Sequence, residues 1–198
     1  MSQQERSRRT RERVLDAAAQ EFSRLGYADA AVQSVAARTG MTKGALYGHF
    51  ASKEKLADAL VAEGARIWAR MLQDSASAGT TPLGTLRALT VGLAHALRED
   101  ARLRAAVRLE NDGLLAGTGE GSLLRDVHRS IVSVVRRAQD VGDVAAEHSA
   151  GTIAQLLLSV VFGAQSAAVL TSEELFGTWL ERVWELVLAM VEDTRVHS

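Results

Sequence analysis

The chain is 198 residues long, 47% hydrophobic and 24% charged, with a net charge of −1. That is enough apolar mass for a sizeable core, and the charge balance is that of a folded chain. Aromatic residues make up 5%, proline occurs once (Pro82), and cysteine is absent. These counts exclude a disulfide scaffold, a thiolate metal site and a cysteine nucleophile, and they speak against an all-β sandwich or barrel.

The hydrophobic period is helical almost everywhere and predicts an all-α chain of about nine helices. Residues 6–25 place Val14, Leu15, Ala18, Phe22 and Leu25 on one face, and Gly26 follows as a helix stop. A short helix over 31–38 turns Val32, Val35 and Ala36 inward, with Asp29 as a candidate cap. Thr39, Gly40 and Met41 form a tight turn, and Thr42 caps a third short helix ending near Phe50. Ser52 starts a fourth helix through Leu56, Leu60, Ile67 and Met71, with Trp68 beside that stripe. Residues 74–81 read as a loop. Thr81 caps the next helix and Pro82 takes its first position. That helix carries Leu86, Leu89, Leu93 and Leu97; a shorter one over 101–110 carries Leu103, Val107 and Leu109. Residues 111–121 form a glycine-rich loop. The remaining helices are expected over 122–140, 149–170 and 172–192.

From His148 to Ser172 there is no Asp, Glu, Lys or Arg. Thr152, Gln155, Ser159, Gln165 and Ser166 interrupt this stretch, and no Arg/Lys asymmetry flanks it. It is read as a buried helix of a soluble, cytoplasmic protein with no membrane partner. Residues 1–13 are polar and carry no apolar core of a targeting signal. The last two helices are apolar on more than one face, so one face is expected to meet a second copy. The candidate homodimer contacts are Leu157, Val161, Ala164 and Ala168, with Trp179, Val183, Leu186 and Met190.

The informative segment is 31–50. Short helix, glycine-containing turn, short helix is the helix-turn-helix arrangement, whose second helix enters the major groove of DNA. Thr42 offers a hydroxyl and a helix N-terminus to a phosphate, and Lys43 can reach a phosphate or a guanine edge. Gly44 and Ala45 are small enough for the backbone to sit deep. Tyr47 shares the face of Lys43, and His49 adds a polar contact, while Leu46 and Phe50 turn back to the core. Lys53 and Lys55 stand at the start of the fourth helix, where a backbone contact is expected.

A set of these residues resembles the DNA-binding domain of the TetR family of bacterial repressors. It comprises Arg11 through Ala18, Phe22, Gly26 and Tyr27, Val32, Val35 and Ala36, and Gly40. It continues with Thr42 through Tyr47, His49 and Phe50, and Ser52 through Leu56. The resemblance implies an all-helical Ω-shaped homodimer, a palindromic double-stranded operator and a C-terminal domain that binds an inducer. It also implies that Thr42, Lys43, Gly44, Tyr47, His49 and Lys53 carry DNA contacts. The family usually opens its second helix on Ser or Thr. Here Ala30 and Ala31 stand at those places, and Gln33 is expected to replace part of that phosphate contact.

Three further stretches resemble the γ-butyrolactone receptor branch: Lys43 through Tyr47 with His49 to Ala51, Ala105 through Leu109, and Arg136 through Gln139 followed by Gly142 and Asp143. Members of that branch usually carry a tryptophan in the helix assigned here to 122–140; this chain has none, which leaves room for a pseudo-receptor answering another small molecule. From the helix faces, Trp68, Leu89, Leu93, Val107, Leu114, His128, Ile131, Phe162 and Gln165 are candidate linings of an apolar ligand cavity.

The expected organisation is a DNA-binding domain over 1–55 and a ligand-binding and dimerisation domain over 56–198. The first holds ten basic and six acidic side chains, the second thirteen and eighteen. The five histidines form no H-x-x-x-H pair, and no nucleotide or hydrolase motif is present, so no enzyme, metal or cofactor is expected. The alternative to a ligand-responsive repressor is a ligand-independent DNA-binding protein acting on chromosome structure.

Overall fold

A computed structural model describes residues 2–78, 80–113, 122–167 and 173–191, without the side chains at 166–167, 173–174 and 190–191. The described residues form nine α-helices: α1 (Gln3–Asp29), α2 (Val32–Thr39), α3 (Lys43–Tyr47), α4 (Lys53–Ser77), α5 (Pro82–Glu99), α6 (Ala101–Asn111), α7 (Leu123–Asp140), α8 (Ala150–Ala167) and α9 (Glu173–Val191). None is long and apolar enough to cross a membrane.

Several of the helix starts have a local cause. Ser2 and Glu5 form a reciprocal capping box, so α1 begins before the first apolar residue that the periodicity detects. Thr42, Thr81 and Asp100 accept from backbone N–H groups at the starts of α3, α5 and α6. α2 is an exception: Ala31 stands at its N-cap and no side chain caps it, so Asp29 does not act as a cap. At the other end Gly40 adopts the left-handed conformation (φ 68°) and closes α2 on Ala36 and Ala37. Gly26, expected as a stop, is a kink instead: its φ of 76° and ψ of −176° interrupt helical geometry, and Tyr27–Asp29 resume it.

The loop expected over 74–81 begins later, because α4 continues to Ser77. Ser75 Oγ donates to Leu72 O and Ser77 Oγ to Gln73 O, both at 2.9 Å. These hydroxyls bond back to the helix rather than breaking it. Residues 114–121 and 168–172 lie outside the described residues.

The chain divides into two compact units, 1–68 with 99–124, and 69–98 with 125–198. In the first, α1 packs extensively on α6. Val14, Leu15, Ala18, Ala19 and Phe22 are buried, as are Leu103, Ala105, Ala106 and Leu109. Gly64 of α4 belongs to the same core. A Cβ built there would stand 2.5 Å from Ala106 Cβ and 2.9 Å from Leu123 Cδ2. In the second unit, Leu86, Leu89 and Leu93 of α5, Ile131 and Val135 of α7, Leu157 of α8 and Phe176 of α9 are buried. Arg87 of α5 pairs with Glu181 of α9.

Gly64→Ala should therefore destabilise the first unit by about 1–3 kcal/mol through overpacking, despite the higher helix propensity of alanine. Urea melts followed by far-UV circular dichroism check this; an unchanged or raised midpoint would contradict the close approach.

Candidate nucleic-acid interface

α2 and α3 are short, and their mutual placement depends on side chains of α1 and on the turn between them. Arg13 Nη2 donates to Thr39 O at 2.9 Å across 26 residues of sequence. The Arg11 guanidinium lies 4.6 Å over the Phe50 ring. Thr39 is buried, and its hydroxyl donates to Val35 O and Ala36 O. Leu46 and Phe50 are buried beneath α3, as their spacing predicts.

What α3 leaves outward is a continuous polar and small-residue face. Thr42, Lys43, Gly44, Ala45 and Tyr47 are all exposed, and His49 is half-buried. Thr42 Oγ1 accepts from Ala45 N at 3.1 Å, which fixes the hydroxyl while leaving its proton to donate outward. Lys43 Nζ sits 5.9 Å from the Tyr47 ring centroid. A Cβ on Gly44 would meet nothing within 4 Å, so nothing inside the chain requires glycine there. Gln33 is exposed on α2.

Lys53 is more firmly held than a solvated lysine. Its Nζ donates to Ala28 O at 3.2 Å and lies 4.6 Å from the Tyr27 ring centroid. Tyr27 in turn stacks parallel on Phe22 at 6.1 Å. Burial, then the neighbouring Glu54 and Asp58, raise the Tyr27 phenol above its ordinary pKa. The ring's electron-rich face and the carbonyl therefore orient the cation together. Lys55, by contrast, pairs with Asp58 at 3.0 Å.

An exposed helix beginning on a capping threonine, small residues at its start, and cations on its flank are what a groove-reading element requires. Residues 14–60 match the family model of bacterial regulatory proteins, tetR family. The chain belongs to the TetR family.

This TetR-family chain is 37% identical over 120 residues to the A-factor receptor protein of Streptomyces griseus; that stretch is 59% of this chain and 40% of that protein. Its structure is similar to that of a γ-butyrolactone receptor (ArpA-like protein), with a TM-score of 0.82 and 28% identity over 96% of this chain and 92% of the other. CprB from Streptomyces coelicolor, solved in complex with its biological operator sequence, gives 0.79 and 29% over 96% and 92%. The chain is thus a TetR-family DNA-binding transcriptional regulator related to γ-butyrolactone receptors.

The TetR-family C-terminal residues singled out from sequence fall into distinct settings. Leu89, Leu93 and Ile131 are fully buried core, and Trp68 is 3% exposed. Val107 and Phe162 are half-buried. Gln165, a polar residue on an apolar face, finds an internal partner: its Nε2 donates to Ala94 O at 3.2 Å. Leu89 also lines a cleft of about 380 Å³ with Leu72, Pro82 and Val134. His128 lies on the outward side of α7 among Arg125, Arg129 and Arg136, beside an open cleft of about 570 Å³. Trp68 and Trp184 bury their indole Nε1–H groups without a hydrogen-bond partner among the described residues. Trp184, which the helix faces did not mark as a lining residue, stands beside a small apolar cavity between α5, α8 and α9.

Of the candidate interface residues, Leu157, Val161 and Ala164 are already buried within the subunit. Trp179 and Val183 are half-buried. Leu186 is 67% exposed, joined by Leu175 (59%) and Leu156 (37%), neither of which stood on that list. Leu114 and Ala168 lie outside the described residues, as does the side chain of Met190.

Because Gly40 sits at positive φ with open space around it, any cost of replacing it comes from the backbone alone. Gly40→Val should lower stability by about 1–2 kcal/mol and Gly40→Asn by less, since asparagine tolerates this conformation. Thermal melts of the two variants check the ranking, and equal losses would contradict it.

Proposed function

We propose that the chain is a homodimeric repressor, bound to a palindromic operator and released from it by a small apolar ligand of γ-butyrolactone or antibiotic type. The observation that carries this reading is the similarity to γ-butyrolactone receptor structures over nine-tenths of both chains. Residues 1–55 form the DNA-reading domain, and residues 56–198 the ligand-binding and dimerisation domain. Thr42, Tyr47 and Lys53 meet phosphates, Lys43 a phosphate or a guanine edge, Gly44 and Ala45 the groove floor, and Gln33 and His49 its flanks.

Two heads of one dimer must stand about 34–36 Å apart to read successive major grooves. A ligand releases DNA only if it binds the non-DNA arrangement better than the DNA-bound one. The exposed leucines of α8 and α9, Leu156, Leu175 and Leu186, support burial against a second copy.

Lys43→Ala and Tyr47→Ala should each weaken binding to a duplex selected by the wild-type chain, while leaving the melting temperature unchanged because both side chains are exposed. If Lys43 meets phosphate alone, its loss lowers the salt slope by about one per contact. Unchanged affinity in both variants would sink the recognition-helix reading.

Gel shifts of that duplex against a panel of synthetic γ-butyrolactones and antibiotics test induction. Release by one compound class is the expected result; release by none leaves the ligand-independent chromosomal reading. Leu186→Glu should convert the dimer to monomer in sedimentation velocity and abolish two-headed binding. A dimer that survives it would place the interface elsewhere.

A further inference from the structure

The carboxylate of Asp112 stands at the C-cap of α6, beyond Asn111. It accepts the backbone N–H of Tyr27 at 3.0 Å, across 85 residues of sequence. Its other oxygen lies 3.5 Å from Arg108 Nε, one helical turn back. This contact exists because α1 is kinked. Gly26 turns the chain out of helical geometry and presents the next N–H away from the helix axis. It also leaves room for the acid, since a Cβ at Gly26 would collide with the Asp112 carboxylate.

The two residues so held are the ones that hold Lys53. Tyr27 supplies the ring beneath its ammonium and Ala28 the carbonyl that accepts from it. One carboxylate on α6 thus fixes the two-residue seat of a cation on α4. All four positions lie in the same compact unit.

We infer that Asp112 is the positioning residue for the Lys53 ammonium, setting where that cation meets a DNA phosphate. This rests on the reading of Lys53 as a phosphate contact. It runs against simple electrostatics. An acidic side chain packed against a DNA-binding head ordinarily weakens binding, and here its loss weakens binding instead.

The test measures affinity over a salt series for the full-length chain, with a duplex that the wild-type protein selects from random sequence. The variants are Lys53→Met, Asp112→Ala, Asp112→Asn and the Asp112→Ala/Lys53→Met double. Lys53→Met should flatten the plot of log affinity against log salt by about one per head. Asp112→Ala should flatten it equally, and the double variant no further. Asp112→Asn keeps an oxygen able to accept from Tyr27 N and should keep the wild-type slope. A merely structural role would reduce the active fraction without moving the slope. The Tyr27 amide resonance, displaced further by the alanine variant than by the asparagine one, gives a second readout that does not involve DNA.

Tighter binding by Asp112→Ala, or a slope unchanged by it while Lys53→Met flattens the plot, overturns the positioning role. A slope unmoved by Lys53→Met overturns the phosphate contact itself, and the positioning role with it. Lys43 and Tyr47 would still test the recognition helix separately.

Discussion

The packing of α6 on α1 is the constraint on which the DNA-reading head depends. The buried residues of α1 run from Val14 to Gly26 and spread over more than half of its circumference at 3.6 residues per turn. α2 and α3 contain eight and five residues and cannot cover such an arc. A small helical unit left to itself buries too little surface to hold a single arrangement. α6 covers the remainder. Ala17, Ala18 and Ala19 on one side, and Ala105 and Ala106 on the other, are small enough for close approach.

Polar contacts at both ends of α6 set its register on α1. At the start, Arg102 bridges Glu12 and Asp16 at 2.8 Å each. Burial of its guanidinium works against the charge, but hydrogen bonds to Glu12 and Asp16 outweigh it and raise the pKa. At the far end Asp112 takes Tyr27 N–H. Ion pairs of this kind specify an arrangement more than they add net stability. The same device recurs in the head itself, where buried Glu21 lies 3.9 Å from both Arg24 and Arg38.

Charge in the head is unevenly available for binding. Residues 1–55 carry an excess of four cations, against a surplus of acids in the rest of the chain. Several of those cations serve the fold: Arg11 covers Phe50, Arg13 holds Thr39, and Arg38 faces Glu21 and Gln20. The near-zero total is therefore two opposite balances, and only part of the positive one faces outward. An acidic remainder repels DNA and favours approach by the head.

Features that depend on residues within a few positions of one another were legible from the chain alone. The helical period, the cap at Thr42, the turn at Gly40 and the inward Leu46 and Phe50 all follow from local geometry. So does the outward set Thr42, Lys43, Gly44, Ala45 and Tyr47. Local reading went astray at α4, where serine hydroxyls bond back to a helix that composition would end, and at Gly26, where a stop residue makes a kink. Only the tertiary structure decided which distant groups meet. Arg13 selects Thr39, Gln165 selects Ala94, and Asp112 selects Tyr27 across 26, 71 and 85 residues. No spacing rule distinguishes one arginine among twenty, or one aspartate among several, because such pairings are fixed by the crossing of helices and not by period along one of them.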